Sequence, residues 1–162
     1  MTNHHDDWVA HPVGAIPKGS WCEHCKRFNV RNSTTTVIGI KNNKVLMVLR
    51  KTDPQKGFWS FPGGYVSWDE TIEQSAIREV KEETGYSVKS VSLQGVYSDP
   101  KRDLDGRQNI DHCFIAEFGD RDGTRDKLEI ADIKWFDLDS LPDKIAFDHR
   151  TMIEDYKKNI KQ

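Results

Sequence analysis

The sequence predicts an α/β fold in which helices pack on a mixed β-sheet. Two observations carry this expectation. Segments with strand character outnumber those with helical periodicity, and strands and helices do not alternate in the regular order that builds a parallel sheet. At 162 residues the chain fits one domain of ordinary size with a proper core.

The elements follow in chain order. Residues 1–33 are polar, carry Pro12, Gly14, Pro17 and Gly19, and show no sustained period, so they read as an irregular arm ahead of a domain over 34–162. From Thr34 the β-branched run TTTVIGI leads through KNNK into VLMVLR. This is a hairpin signature, because Asn42 and Asn43 tolerate the positive φ of a tight two-residue turn. A loop over 51–62 contains Pro54, Gly57 and Pro62. Residues 70–84 read as a helix with Asp69 as N-cap and Gly85 as its stop. Ile72, Ala76 and Val80 recur every fourth residue as its apolar stripe, which Ile77 is expected to widen. The stretches SVKSVSLQGVYS, IDHCFIAEF and ADIKWFDL read as strands. A last helix near 148–159 presents Met152, Tyr156 and Ile160 at four-residue spacing.

Composition narrows the function. A net charge of −2 gives no global reason to bind nucleic acid or an anionic membrane. No apolar run is long enough to span a bilayer, and the N-terminus lacks the basic start and apolar stretch of a signal peptide. Three cysteines are an odd count, so a reducing, cytoplasmic setting is expected in place of a disulfide framework.

The segment REVKEETGY, residues 78–86, concentrates charge. On a helix, Glu79 and Glu83 lie about 40° apart around the axis and Glu82 about 60° to the other side of Glu79. All three project from one side of the last two turns. A solvated acidic face with an Arg78–Glu82 ion pair is the ordinary reading of such a pattern. The C-terminal position argues against it, because the helix dipole disfavours negative charge there unless a cation joins the site. Oxygen-only ligands suit Mg²⁺ or Mn²⁺ over zinc.

Gly64, five residues, Glu70, seven residues, then Arg78-Glu79-Val80-Lys81-Glu82-Glu83-Thr84-Gly85 resembles the Nudix box, with Tyr86 standing where the family has an aliphatic residue. The resemblance extends from about Thr34 to Leu141 and takes in FWSFPGG and IKWFDLDSLP. It implies the Nudix α/β/α sandwich and hydrolysis of a nucleoside diphosphate linked to another group. It also implies that Glu79, Glu82, Glu83 and the Gly64 carbonyl hold Mg²⁺ or Mn²⁺, with Glu70 and Arg78 supporting them. Divalent ions would neutralise the anionic phosphates and lower the pKa of the attacking water.

The family does not place its general base consistently. Glu79 within the box is one candidate, and Glu129 or Asp132 in the loop GDRDGTRDKLEIADIKW are others. The stretch YSDPKRDLDGRQ is similar to a segment of ADP-ribose pyrophosphatases, which makes Arg102 and Arg107 candidate contacts to phosphate or ribose. An ordinary turn built on Pro100 and Gly106 explains the same residues. Arg50 is a further phosphate candidate, and Phe58, Trp59 and Tyr97 are candidates for stacking on a base, although aromatics beside a sheet are more often core. ADP-ribose leads, nucleoside triphosphates (oxidised purine forms included) are the alternative, and a nucleotide-sensing module without catalysis is disfavoured because every box glutamate is present. A homodimer is compatible with all of these.

In the arm, Cys22 and Cys25 have CxxC spacing with His24 between them, but a zinc ribbon needs a second such pair and the sequence has none. Two unligated thiols are expected, with zinc at Cys22, Cys25 and a histidine as the alternative. Cys113 reads as a core residue. The half-ribbon and the slight acidic balance also count against a zinc-ribbon nucleic-acid adaptor.

Overall fold

A computed structural model describes residues 19, 21–22, 27–28 and 30–160. The chain divides into two compact units, Met1–Arg31 and Asn32–Gln162.

In the first unit β1 (Trp21–Cys22) pairs antiparallel with β2 (Arg27–Phe28), Trp21 opposite Phe28 and Cys22 opposite Arg27. The expectation of a wholly irregular arm is corrected here, since two-residue strands are too short for any periodicity to register. Cys25 lies outside the described residues, so neither the expected unligated thiols nor the alternative zinc set is tested.

The second unit contains β3 (Ser33–Lys41), β4 (Lys44–Arg50), β5 (Trp59–Ser60), β6 (Gly63–Tyr65), α1 (Ile72–Thr84), β7 (Tyr86–Tyr97), β8 (Ile110–Arg121), β9 (Ile130–Asp137) and α2 (His149–Asn159). Strand β3 runs parallel to β8, and β8 antiparallel to β7, so the sheet is mixed as predicted. The hairpin forms at Asn42 and Asn43, whose φ angles are 52° and 58°. Its strands pair only near the turn, at Ile40–Val45 and Lys41–Lys44. Away from the turn β3 instead pairs with β6 and β4 with β5, while β9 pairs with β4 along its whole length from Lys44 to Arg50. The splayed ends of β3 and β4 leave room between them, and a cleft forms there.

Side-chain alternation along the strands serves both faces of the sheet. Val37, Leu46, Phe114, Ala116 and Phe118 pack with Ala76 and Val80 of α1. Their neighbours Ile38, Val45, Met47 and Cys113 face the other way and pack with Met152 and Ile153 of α2. Strands VIGI and VLMVLR are therefore apolar at consecutive positions because a helix covers each face.

Two details of α1 differ from expectation. The cap is Thr71, whose Oγ accepts from the Gln74 amide at 3.2 Å while Gln74 Oε1 accepts from the Thr71 amide at 2.8 Å. This reciprocal capping box outcompetes Asp69, which sits at φ 65° in the preceding turn. Ile77 is 39% exposed and does not widen the stripe, because one residue further rotates it about 100° from Ala76. The helix stops at Gly85, φ 75°, whose amide donates to the Lys81 carbonyl at 2.9 Å. A side chain there would strike the Gly123 carbonyl.

Candidate active site

Arg78 organises the acidic end of α1. Its Nη1 donates to Glu79 at 2.7 Å and to Glu82 at 3.0 Å. Its Nε and Nη2 hold both oxygens of Glu70 at 3.0 and 2.8 Å, and Nη2 also reaches the Tyr65 carbonyl at 3.1 Å. Glu70 accepts a further bond from the Ser67 amide at 2.6 Å. Arg78 first, then that amide, holds the Glu70 carboxyl down at about 2. The spacing of Glu70 and Arg78 thus fastens the 63–70 segment to the helix.

The three acids at 79–83 occupy different surroundings. Glu83 is 7% exposed and accepts from the Gly63 amide at 3.1 Å. Glu79 lies directly beneath Gly64, where a Cβ would approach its Oε1 to 2.5 Å. Gly63 is equally tight, since a Cβ would overlap the Thr35 carbonyl of the paired strand. Glu82 is open to solvent, with its side chain 56% exposed. Burial pushes the Glu79 and Glu83 carboxyls up, Glu83 the further, and the field of Glu129 adds to both. Arg78 opposes the rise at Glu79, while the Gly63 amide and Arg50 oppose it at Glu83.

The cleft between the splayed strands has a volume of about 300 Å³. Gly63, Gly64, Tyr65 and Glu83 line it from the box side, and Glu129 lines it from the loop before β9. Lys51 fixes that loop, its amide donating to the Glu129 carbonyl at 2.8 Å. Asp132 is exposed, lies within β9 and does not line the cleft. Arg50, Arg102 and Arg107 all line it. Arg50 Nε donates to the Pro54 carbonyl at 2.9 Å, and its guanidinium lies 5.0 Å from the Phe147 ring centroid. Arg102 has only 5% of its side chain exposed and grips Asp148 with bonds of 3.0 and 2.7 Å. Much of its donor capacity therefore ties the 99–109 segment to the start of α2.

The aromatic stacking candidates fall elsewhere. Trp59 packs edge-on against Phe136 in the α2-side core, with centroids 4.8 Å apart. Tyr97 belongs to the same core, and its hydroxyl donates to Asp155 at 3.2 Å. Neither these nor Phe58 line the cleft. Apolar surface next to a covered sheet face is better buried than held open.

Several cleft residues carry no sequence signal. Thr34, Thr35 and Thr36 line it from β3, and buried Asp111 accepts from the Thr34 hydroxyl at 2.6 Å. Buried His149 accepts from the Phe61 amide through Nδ1 at 3.0 Å, so Nε2 carries the proton and faces the Thr36 hydroxyl at 3.5 Å. Only strand register and the entry of α2 bring these residues together. Tyr65 was marked by nothing but its place after Gly64.

Among the described residues no three His, Cys, Asp or Glu side chains close into a cage for an ion. Instead Arg78 bridges Glu79 and Glu82. The donor chemistry nonetheless fits a hard divalent ion: buried carboxylates whose mutual fields penalise ionisation, all-oxygen, beside a glycine whose backbone lies on one of them. Added positive charge would relieve that repulsion.

A carboxylate-bearing helix end, a glycine strand packed on it and a cleft walled by arginines define a hydrolase of phosphate anhydrides on an α/β scaffold. The chain belongs to the Nudix family: residues 30–156 match the NUDIX domain. It is 44% identical over 120 residues to an ADP-ribose pyrophosphatase of Methanocaldococcus jannaschii, covering 73% of this chain and 68% of that protein. It is 30% identical over 139 residues to the NAD-capped RNA hydrolase NudC of Klebsiella pneumoniae, covering 83% of this chain and spanning about half (52%) of that protein's length. In fold it is similar to the MutT NUDIX hydrolase from Burkholderia pseudomallei, with TM-score 0.70, 25% identity, and coverage of 76% of this chain and 96% of that one. The protein is a Nudix pyrophosphohydrolase, in a family that uses divalent metal ions. No helix among the described residues is long and apolar enough to cross a membrane.

Proposed function

We propose that the protein hydrolyses the pyrophosphate bond of ADP-ribose or a closely similar nucleoside diphosphate derivative, with Mg²⁺ or Mn²⁺ as the ion. The observation that carries this is one cleft lined by the box residues Gly64 and Glu83, the loop residue Glu129 and three arginines. Similarity to the ADP-ribose pyrophosphatase favours that substrate.

Glu79, Glu82, Glu83 and the Gly64 carbonyl would hold the ion. When bound, it supplies countercharge for the phosphates and acidifies the attacking water. The chain's own groups do the rest. Arg78 fixes the facing directions of Glu79 and Glu82, and Glu70 fixes Arg78. Arg50 and Arg107 receive the diphosphate oxygens. Glu129 is the general base. It shares the cleft with Glu83, and its carboxylate, unlike Glu79, is not among those gripped by Arg78. Water forms a new P–O bond to one phosphorus, the bridging P–O bond breaks, and the water proton passes to a Glu129 carboxylate oxygen. ADP-ribose then leaves as AMP and ribose 5-phosphate.

The test is a product screen over ADP-ribose, dinucleotides, sugar nucleotides and nucleoside triphosphates, each with Mg²⁺ and with Mn²⁺. ADP-ribose should give the highest kcat/KM and equimolar AMP. Faster turnover of a triphosphate would overturn the substrate assignment and leave the family intact.

A further inference from the structure

Tyr65 belongs to two networks at once. Its carbonyl accepts from Arg78 Nη2 at 3.1 Å, inside the acidic cluster. Its hydroxyl accepts from Arg107 Nη1 at 2.9 Å, across 42 residues of sequence. Between these ends, its backbone is held in β6 opposite Thr34, and the residue lines the cleft. Arg107 comes from the segment 99–109, which is anchored by turns at Arg102 and Gly106, by the Asp103 carboxylate on the Asn109 amide and by the Arg102–Asp148 pair.

We propose that Tyr65 is a positioning residue whose phenol holds the Arg107 guanidinium at the cleft to receive a substrate phosphate.

Three observations support it. First, Arg107 is fixed at two points, Nη1 on Tyr65 and Nε on Asp105 at 2.8 Å, which sets the plane of an otherwise long and mobile side chain. Second, the two partners differ in kind. Asp105 cancels part of the charge, whereas a phenol is a neutral acceptor that orients the cation and leaves its charge for an anion. Third, Arg50 and Arg107 share the cleft. Burial lowers the Arg50 pKa, Glu83 opposes this, and the field of Arg107 lowers it further. Two cations within each other's field in one cleft are mutually unfavourable until an anion joins them. A diphosphate is such an anion. Tyr65 also gives the clamp a rigid reference, because the same residue is pinned to Arg78 and hence to the carboxylates that act on that diphosphate.

The experiment is a double-mutant cycle on Tyr65→Phe and Arg107→Ala, read by the Kd of α,β-methylene-ADP in the full chain with Mg²⁺. That probe carries the phosphates without being cleaved, so the result does not depend on which substrate the enzyme prefers. Tyr65→Phe deletes only the hydroxyl and should weaken binding about tenfold, with Arg107→Ala weakening it about thirtyfold. In the Arg107→Ala background the Phe substitution should add less than about twofold. With the best substrate, Tyr65→Phe should raise KM and leave kcat within about twofold. Arg107→Lys, which keeps charge but not the fork, should recover only part of the affinity. Additive losses in the cycle would overturn the proposal, as would an unchanged Kd in Tyr65→Phe. A fall in kcat at constant KM would assign Tyr65 to the Arg78 network instead. Failure of ADP-ribose as substrate, with the cycle intact, would remove the substrate assignment alone.

Discussion

At Arg78 a single guanidinium meets Glu70, Glu79 and Glu82 while also bonding the Tyr65 carbonyl. Its burial lowers its pKa, but the first and larger influence, the Glu70 hydrogen bonds, raises it well above the ordinary arginine value. The carboxylates themselves are separable by substitution. Glu82→Gln keeps shape and removes charge, and as an ion ligand it should cost at least about 100-fold in kcat with the fold intact. Unchanged turnover would remove Glu82 from the ion site. The base is decided by a pair of variants. Glu129→Gln should lose most of kcat while KM stays near its original value. If Glu79→Gln carries the large loss and Glu129→Gln turns over normally, the base lies within the box. Box spacing made the acids of α1 legible in the sequence. Their division into a buried Glu83, a Glu79 lodged under Gly64 and an open Glu82 was not, because it depends on which side of α1 faces β6.

At the level of elements, helix α1 is aimed by its caps. The reciprocal pair Thr71 and Gln74 starts it, and Gly85 ends it against Gly123. Thr71→Ala should destabilise the protein by about 0.5–2 kcal/mol, measured by urea unfolding, with little change in KM because the site lies at the opposite end. A loss below that range would mean Asp69 or solvent takes over the cap. The sequence showed the helix and its stop. It placed the start two residues early, because Asp69 and Thr71 are both good caps and only the Gln74 partner distinguishes them. The splay of β3 and β4 was not visible locally either. Strand pattern specifies which faces are apolar, and says nothing about where β5 and β6 will replace the hairpin partner.

Across the whole molecule, pH dependence follows from burial. His149 is buried, and this desolvation, first among its causes, drops its pKa to about 3. The unfolded chain therefore takes up a proton at this position from about pH 6.5 downward, while the native state does not until about pH 3. Stability from His149 is present above pH 6.5 and is lost as pH falls. The loss from this group alone is about 2 kcal/mol by pH 5. Glu70, depressed to about 2, adds a loss of the same sign below about pH 4.5. Glu79 and Glu83, shifted upward, work the opposite way, so the wild-type curve is a sum. Subtracting a His149→Gln curve isolates the histidine. Chemical denaturation from pH 7.5 to 4 should show a flatter acid limb in the variant, and parallel curves would refute the assignment.

The sequence by itself determined the family, the mixed α/β class, the hairpin turn, both helices and the acids at the end of α1. Each of these is set by local backbone chemistry, by the order of elements or by fixed spacing along a short stretch of chain. Tertiary structure decided what surrounds them. It sent Trp59 and Tyr97 into the core, tied Arg102 to Asp148, brought Glu129 to the cleft and left Asp132 in β9 outside it. It also joined Tyr65 to Arg107 and buried His149 beneath Thr36. These are contacts between residues about 40 to more than 100 positions apart. They exist only because β3 is shared by β6 and β8 and because α2 closes the face opposite α1. Nothing in a linear pattern encodes that sharing, since register and strand order follow from which packing buries the most apolar surface for the whole chain.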